Sequence, residues 1–550
     1  MQKNVLKVHP SDDLIVALTD LKKGSTIRFE GVDYLLQDDI AQKHKFAARD
    51  FAVGDPLHMY GILVGRAVVP IPKGGAVTIH NVKHAAAPYT GRQTQPAWQP
   101  PDVSRWKGRT FMGYHRSDGQ VGTANHWLVI PLVFCENRNI GVMREALEKE
   151  LGYDKAGVYQ HQSRKMVERY RAGVSVDELL LEEEVDSTED LLSQRLLEHV
   201  DGIKFLTHQG GCGGTRQDAQ SLCGLLAGYI NHPNVAGATV LSLGCQNAQV
   251  SMLQEELHQR NPHFDKPLYI FEQQGSGSEY QMISRAIRQT FAGLIQANEL
   301  RRAPAPLSKL VLGMECGGSD GFSGLSANPA MGYAADLLVA LGGTAILSEF
   351  PELCGVEQEL INRCVDDSTA DRFMQIQSAY AARAQAVGSG FDMNPSPGNI
   401  KDGLITDAIK SAGAARKGGT SPITDVLDYP EYIRRPGLNL LCTPGNDVES
   451  TTGLAGAGAN LILFSTGLGT PTGNPVTPVA KVASNSRLAK RMADIIDIDT
   501  GTVIAVEDTI ESMGEKIRET CIRIASGEVI PKAVQLGQDD FIPWKRGVSL

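Results

Sequence analysis

Along most of the chain, short apolar runs end in a knot of glycine and polar residues and give way to a helical period. The run 126–134 (HWLVIPLVF) precedes a helical pattern over 140–151, and 202–207 (GIKFLT), 238–243 (ATVLSL) and 268–271 repeat the rhythm. It resumes at 310–312 (LVL), which leads into ECGGSDGFSG and an apolar-faced helix over 326–341; further runs stand at 344–347, 438–441 and 461–464. Such runs suit strands buried on both faces, and strands alternating with helices build a parallel sheet through right-handed crossovers. Residues 1–86 follow another pattern. Strand-like pieces at 25–29, 33–36, 57–60, 62–69 and 76–80 are divided by turns at Gly24, Gly54 and Gly74, as in a compact all-β module. Residues 87–107 are rich in Pro and Gln without an apolar period and read as an extended linker. The charged stretch 154–199 predicts surface helices, and 391–419, glycine-rich and aperiodic, predicts a lid over a site. The expected organisation is a β module (1–86), a linker (87–107), an α/β middle domain (108–305) and a second α/β domain (306–550).

A chain of 550 residues exceeds what one core holds, in keeping with several domains. Apolar (42%) and charged (21%) fractions are those of a globular protein in water. A net charge of −10 and the lack of a basic run argue against nucleic acid as a partner. No apolar run nears the ~20 residues of a membrane span, and residues 1–20 are amphipathic and mixed in charge, unlike a signal peptide. A cytoplasmic protein without a membrane partner is expected. Nine cysteines in such a chain point to thiols and metal rather than disulfides.

The knots at the strand exits hold the candidate chemistry. Cys135, Cys212, Cys245 and Cys316 each follow an apolar run and precede a helix, where the dipole lowers a thiol's pKa and makes the thiolate a ligand. One such cysteine is usually a small buried hydrophobe. Four in one topological position, without a CxxC pair, suit iron, as a mononuclear site or a cluster, better than a zinc ribbon. Glu315, Asp320, Glu349, Glu352, Asp447 and Glu449 stand at the same exits, where clustered carboxylates trade protons or hold a divalent cation, unless they cap helices. Ser319 shares the turn of Asp320. The glycines of 453–459 (GLAGAGA) precede a strand instead of following one, so they suit close helix packing and not a dinucleotide fingerprint. The loop 467–473 (GLGTPTG) does follow a strand and is the better anion cradle; Thr470 lies in it, and Lys481 and Asn485 beyond it offer a cation and an amide. Arg116 is a candidate carboxylate clamp, with a turn salt bridge as the equal alternative. His44, in the polar segment AQKHKFAARD, is on its own an ordinary loop histidine.

The motifs GYHRSDGQVGTANHW, LGCQNAQV, MECGGSDGFSGLSANPAMG, LSEFPELCGVEQ, NPSPGN and GLNLLCTPGNDVESTTGLAGAGANLILFSTGLGTPTG run in order through essentially the whole chain. They closely resemble the altronate/galactarate dehydratase family, and the HKFA motif at His44 resembles that of its SAF-type domain. The layout with PGLNLL and PGND is nearer to the altronate branch. Two positions depart from the family pattern: Gln246 follows Cys245 in place of an acid, and Ala414 lies near the place of a cysteine.

The resemblance implies a small N-terminal β-clip (SAF-like) domain, an α/β middle domain that forms a homodimer, and a Rossmann-like C-terminal domain with a parallel sheet. It implies a hydro-lyase that removes water from a sugar acid, an aldonate such as D-altronate. It also implies iron, as Fe2+ or an iron–sulfur centre, with Mn2+ or another divalent cation as the alternative. In that reaction a base removes the C2 proton, the metal stabilises the enediolate, and an acid assists loss of the C3 hydroxyl, leaving a 2-keto-3-deoxy acid. Under this reading His44, His208, Asp320 and Glu349 are the acid–base candidates. Cys212, Cys245, Cys316 and Cys135 hold the metal, and Arg116, Ser319, Asp447, Thr470, Lys481 and Asn485 bind substrate. The competing expectations are a galactarate or other hydroxy-acid dehydratase of the same family, an NAD-dependent oxidoreductase, and a sugar-acid-binding protein without catalysis.

Overall fold

The computed structural model describes residues 4–153, 158–181 and 195–550. The N-terminal module is all-β, with β1 (Val5–Leu6), β2 (Leu14–Ala17), β3 (Thr26–Phe29), β4 (Val32–Leu35), β5 (Lys45–Ala47), β6 (Pro56–Met59), β7 (Ile62–Ala67), β8 (Ala76–Val77) and β9 (Val82–Lys83). They form an antiparallel sheet in the order β1-β2-β5-β8, a hairpin β3-β4, and a sheet β6-β7-β9. The interior strand β5 lies in the segment that reads as a polar loop. Phe46 and Ala47 are buried there, and Lys45 is itself buried against the C-terminal domain.

The chain then enters the middle domain through β10 (Thr110–His115) and β11 (Val121–Gly122). Four parallel strands follow: β12 (His126–Pro131), β13 (Gly202–Phe205), β14 (Val235–Ser242) and β15 (Leu268–Glu272), in the order β13-β12-β14-β15. β12 is buried along its whole length because helices cover both faces. Trp127 and Val129 meet the helices Asn137–Glu148 and Glu279–Ala297, while Leu128 and Ile130 meet Arg216–Asn231 and Val250–Arg260. The chain leaves by β16 (Arg302–Pro306), which pairs antiparallel with β10. Of the expected surface helices over 154–199, Val158–Arg171 and Val176–Leu180 are helical; 154–157 and 182–194 lie outside the described residues.

The C-terminal domain is a seven-stranded parallel sheet of β17 (Val311–Cys316), β18 (Thr344–Leu347), β19 (Ile423–Leu427), β20 (Gly437–Leu441), β21 (Leu461–Thr466), β22 (Val479–Ala483) and β23 (Ile498–Asp499). Its order is β19-β20-β18-β17-β21-β22-β23. The sheet grows one way from β17 and the other way from β21, so their carboxyl ends flank a topological switch point, where open α/β sheets bind ligands. The expected class, a β module followed by α/β units with parallel sheets, is the one observed. The stretch expected as a lid differs: it contains the helices Pro397–Lys401 and Asp407–Ala415. The alanines and glycine of the second helix let it lie buried all round, its polar residues Asp407, Lys410 and Ser411 included.

The run GLAGAGA ends the helix Asp447–Gly456, and Gly456 packs backbone to backbone on Gly228 of the middle domain, where an added Cβ would collide with the Gly456 carbonyl. Gly228→Ala should therefore cost about 1–3 kcal/mol through overpacking. A urea unfolding midpoint unchanged from that of the parent would show that these helices part freely. No described helix is long and apolar enough to cross a membrane.

Candidate functional site

Glu315 and Cys316, expected in the turn, are instead the last residues of β17 and are buried at the switch point. Glu315 accepts from Ser348 Oγ (2.8 Å) and Ser450 Oγ (2.6 Å), and its other oxygen has no partner among the described residues. Glu349 follows β18 with a left-handed backbone, φ 67°, a conformation that costs a non-glycine residue about 1–3 kcal/mol and is held by its surroundings. Its N–H donates to Thr443 Oγ1 (2.8 Å), and its carboxylate accepts from the Cys316 N–H (3.1 Å) and Lys417 Nζ (2.5 Å). Lys417 also lies 2.7 Å from the Cys316 sulfur, which is 3.0 Å from Glu352. Lys410 donates to Glu352 (2.7 Å) and Asn394 (2.6 Å).

Two ammoniums among four carboxyls and a thiol set the protonation. Burial, joined by the charge of Glu352, pushes Glu349 up to about 7 against the pull of Lys417. Burial acts on Glu352 in the same sense, but Lys410 and Lys417 outweigh it and hold that carboxylate at about 2. Burial and the flanking carboxylates keep Cys316 a neutral thiol. Burial and the charge of Glu349 raise Glu315 well above the carboxylate range. Asp447, partly exposed in the first turn of its helix, is raised to about 6 by burial and Glu352. Carboxyls poised on either side of neutrality in one buried network are equipped to take and return a proton.

Among the described residues, Cys316, Glu349 and Glu352 are also the grouping whose ligand atoms all fall within 4.8 Å of one another. The Lys417 ammonium, however, already touches the sulfur and the Glu349 carboxylate, and so supplies the positive charge that a cation would bring. As built, this donor set fits proton handling and not a metal.

A second group of expected residues gathers beside it. Asp320 is fully buried and accepts from the N–H groups of Phe322 and Ser323, from Ser323 Oγ and Ser484 Oγ, and from Asn485 Nδ2, and it pairs with Lys43 of the N-terminal module at 2.9 Å. With its oxygens so engaged, Asp320 ties the module to the crevice and is not free as an acid or base. Asn485 also caps the helix Ser486–Arg491. The Ser319 carbonyl accepts from Asn399, and Thr470 lies where a Cβ on Gly318 would meet its hydroxyl, so the loop 467–473 rests on this turn. His44 is at the rim, its Nε2 3.0 Å from the Lys401 carbonyl. Lys481 points inward over the Phe464 ring, donates to the Thr472 carbonyl, and is lowered to about 7 by burial.

Cys135, Cys212 and Cys245 belong to neither group. They stand exposed on the loops that leave β12, β13 and β14. These loops interlock: Phe134 N–H donates to the Gly210 carbonyl (3.1 Å), Ala248 N–H to Gly211 (3.0 Å), and Asn137 Nδ2 to His208 (2.8 Å). His208 is buried, with Nε2 donating to Pro131 and Nδ1 accepting from Gly210 N–H, so it braces the loops with both ring nitrogens committed. Gln246 accepts from Gly244 N–H and donates to Ser242 Oγ, holding the turn of Cys245. Arg116 stands apart from every site. Its donors go to Pro233, Asn125 and Ala124, so it secures the entry to the middle domain and is no carboxylate clamp.

The three loops face a cleft whose far wall is Glu449 and residues 541–545. Glu449 lines the cleft, while Asp447, two residues before it on the same helix, belongs to the buried network. Lys410 and Lys417 were not expected from the sequence; a lysine inside the apolar-and-glycine run 404–419 is the signal that could have marked them.

Three family descriptions match the chain in order: the altronate/galactarate dehydratase SAF domain over 3–85, the D-galactarate dehydratase/altronate hydrolase second domain over 113–298, and the D-galactarate/altronate dehydratase C-terminal domain over 307–549. The chain is 33% identical to the altronate dehydratase of Escherichia coli (strain K12) over 527 residues, 95% of each chain. It is 31% identical to the altronate dehydratase of Bacillus subtilis (strain 168) over 528 residues, 96% of each. Identity to the galactarate dehydratase (L-threo-forming) of Escherichia coli (strain K12) is 30% over 529 residues, 95% of this chain and 93% of that one. With matching domains in the same order and relatives covered nearly end to end, this chain belongs to the altronate/galactarate dehydratase family.

Proposed function

We propose that the protein is a hydro-lyase that dehydrates an aldonate, D-altronate first among them, to a 2-keto-3-deoxy acid. The activity named for two of the relatives suggests the substrate. The observation that carries the chemistry is the buried carboxyl network, with Glu349 near 7 beside Lys417. The substrate lies in the cleft with C2 toward the helical turn of Asp447 and Glu449. Asp447, the partly exposed member, takes the C2 proton, and Glu349 and Lys417 behind it hold the acquired proton and its charge. Glu449, raised by burial, returns a proton to the departing C3 hydroxyl.

Cys135, Cys212 and Cys245 are the residues that would hold iron. Three exposed thiols on interlocked glycine loops suit a soft metal or a cluster. Iron bound there supplies a Lewis acid for substrate oxygens. The same reading includes a homodimer through the middle domain, supported by the exposed Tyr159, Met166 and Tyr170 on the helix Val158–Arg171; light scattering reading a single chain of 59.3 kDa would remove it.

The test is an anaerobic assay of iron-reconstituted protein against aldonates and aldarates, reading the 2-keto-3-deoxy product. Product from altronate that a chelator abolishes supports the reading, product from galactarate alone moves it to the other branch, and no product overturns it. The pH profile gives a second check. As pH falls through about 7 and then about 6, Glu349 and Asp447 gain protons and the base is lost, so kcat/KM should fall on the acid side. Glu349→Gln should lower kcat by about 10²–10⁴-fold and flatten the upper part of that limb. An unchanged limb in the variant would assign the base elsewhere.

A further inference from the structure

The cleft beside Cys212 encloses about 540 Å³, and the charged residues in its wall are Asp218, Glu449 and Lys545. Two acids and one cation are an odd lining for a pocket that receives an anion, unless the cation is the group that meets it. Asp218 is already engaged, accepting from Thr215 Oγ1 (2.8 Å) and from the N–H groups of Arg546 and Gly547 (3.0 Å each). His208 is kept neutral by burial.

Lys545 is carried by a strap, residues 538–550, that is pinned at many points. Asp539 pairs with Lys204 (2.7 Å), Asp540 accepts from Gly473 N–H (2.9 Å), and Ile542 N–H donates to Thr452 (3.1 Å). The Trp544 ring packs on Tyr380 and Tyr429 with centroids 5.1 and 5.4 Å away, and Arg546 lies 4.3 Å above it while pairing with Asp428. Beyond them, Leu550 N–H donates to the Gly213 carbonyl (2.8 Å). With Trp544 and Arg546 both anchored in the C-terminal domain, the residue between them sends its side chain toward the glycine loop, where Lys545 Cε comes 3.7 Å from the place of a Cβ on Gly214. Its ammonium donates to Ser549 Oγ (2.6 Å), which leaves two N–H groups for a ligand.

We propose that Lys545 is the carboxylate-binding residue of the cleft, gripping the C1 carboxylate of the sugar acid beside Cys212. This rests on the dehydratase reading given above. The pairing fixes the acid end of the substrate and withdraws electrons from C1, so the C2 proton is easier to remove. Gly214, whose Cβ position lies 3.7 Å from Lys545 Cε, leaves room beside the lysine that a larger side chain would fill.

The test compares the full-length parent with Lys545→Gln and Lys545→Arg, using calorimetry for binding of D-altronate and D-gluconate and steady-state kinetics on whichever acid turns over. The exposed side chain makes both variants foldable, which circular dichroism checks. Lys545→Gln should weaken aldonate binding and raise KM roughly ten- to hundred-fold, the loss expected for a charged hydrogen bond, with a smaller fall in kcat. Lys545→Arg should recover most of the affinity. Binding of a neutral aldonolactone should not respond to either change. Affinity and KM within twofold of the parent in Lys545→Gln overturn the assignment and leave the dehydratase reading intact. A parent that binds no aldonate or aldarate overturns both.

Discussion

Replacing Lys417 by methionine is expected to cost about 3–5 kcal/mol of stability near neutral pH and to abolish turnover. The side chain is almost wholly buried and touches both Cys316 and Glu349, so its removal leaves a carboxylate in the interior with no cation in contact. The deficit should depend on pH in a defined sense. Without Lys417, the folded-state pKa of Glu349 rises further above its unfolded value, so the folded protein resists losing a proton that the unfolded chain gives up freely. Below the unfolded pKa of about 4.5 both states are protonated and Glu349 adds no penalty. The penalty grows as pH rises from there and is complete above the folded pKa. Urea unfolding of parent and variant at pH 5 and pH 8 measures it. Equal midpoints at pH 8 would mean that the network is not held together by this charge.

The second large effect concerns the exposed thiols. Cys212→Ala, Cys245→Ala and Cys135→Ala should each strip iron from the reconstituted protein and abolish activity. The triple variant should be no worse than any single one, because ligands of one centre act as a unit. Since these thiols are exposed, folding should be unchanged within about 0.5 kcal/mol. Cys316→Ala should keep its iron, because that thiol belongs to the buried network. Metal analysis alongside activity decides the matter. Iron retained by Cys212→Ala and lost by Cys316→Ala would transfer the centre to the crevice of β17.

The parallel sheets were legible because buried strands read as unbroken apolar runs; of the four cysteines at strand exits only Cys316 stands at the switch point, while Cys135, Cys212 and Cys245 lie on loops of the middle domain. Roles were harder to read. Arg116 and His208 carry the groups that a clamp and a base require, yet their hydrogen bonds go to neighbouring backbone, and only the fold shows those donors and acceptors to be committed. Asp320 looked like a reactive acid in a glycine turn, but five hydrogen bonds and Lys43, supplied from a distant stretch of chain, make it a fastening. Lys410 and Lys417 escaped notice for the opposite reason. Asp407, Lys410 and Ser411 fall on one face of their helix, a spacing that reads as a solvent-facing side, yet the whole helix is buried and the polar face turns inward.

The antiparallel pairing of β10 with β16, from Thr110 opposite Pro306 to Tyr114 opposite Arg302, brings the two ends of the middle domain side by side. A unit attached through adjacent strands can be exchanged by recombination without rethreading the sheet that receives it. The thiol-bearing half of the cleft and the carboxyl-bearing half can therefore diversify separately. In such an architecture, a new acid substrate could be acquired by grafting one cassette while the proton-handling network is inherited unchanged.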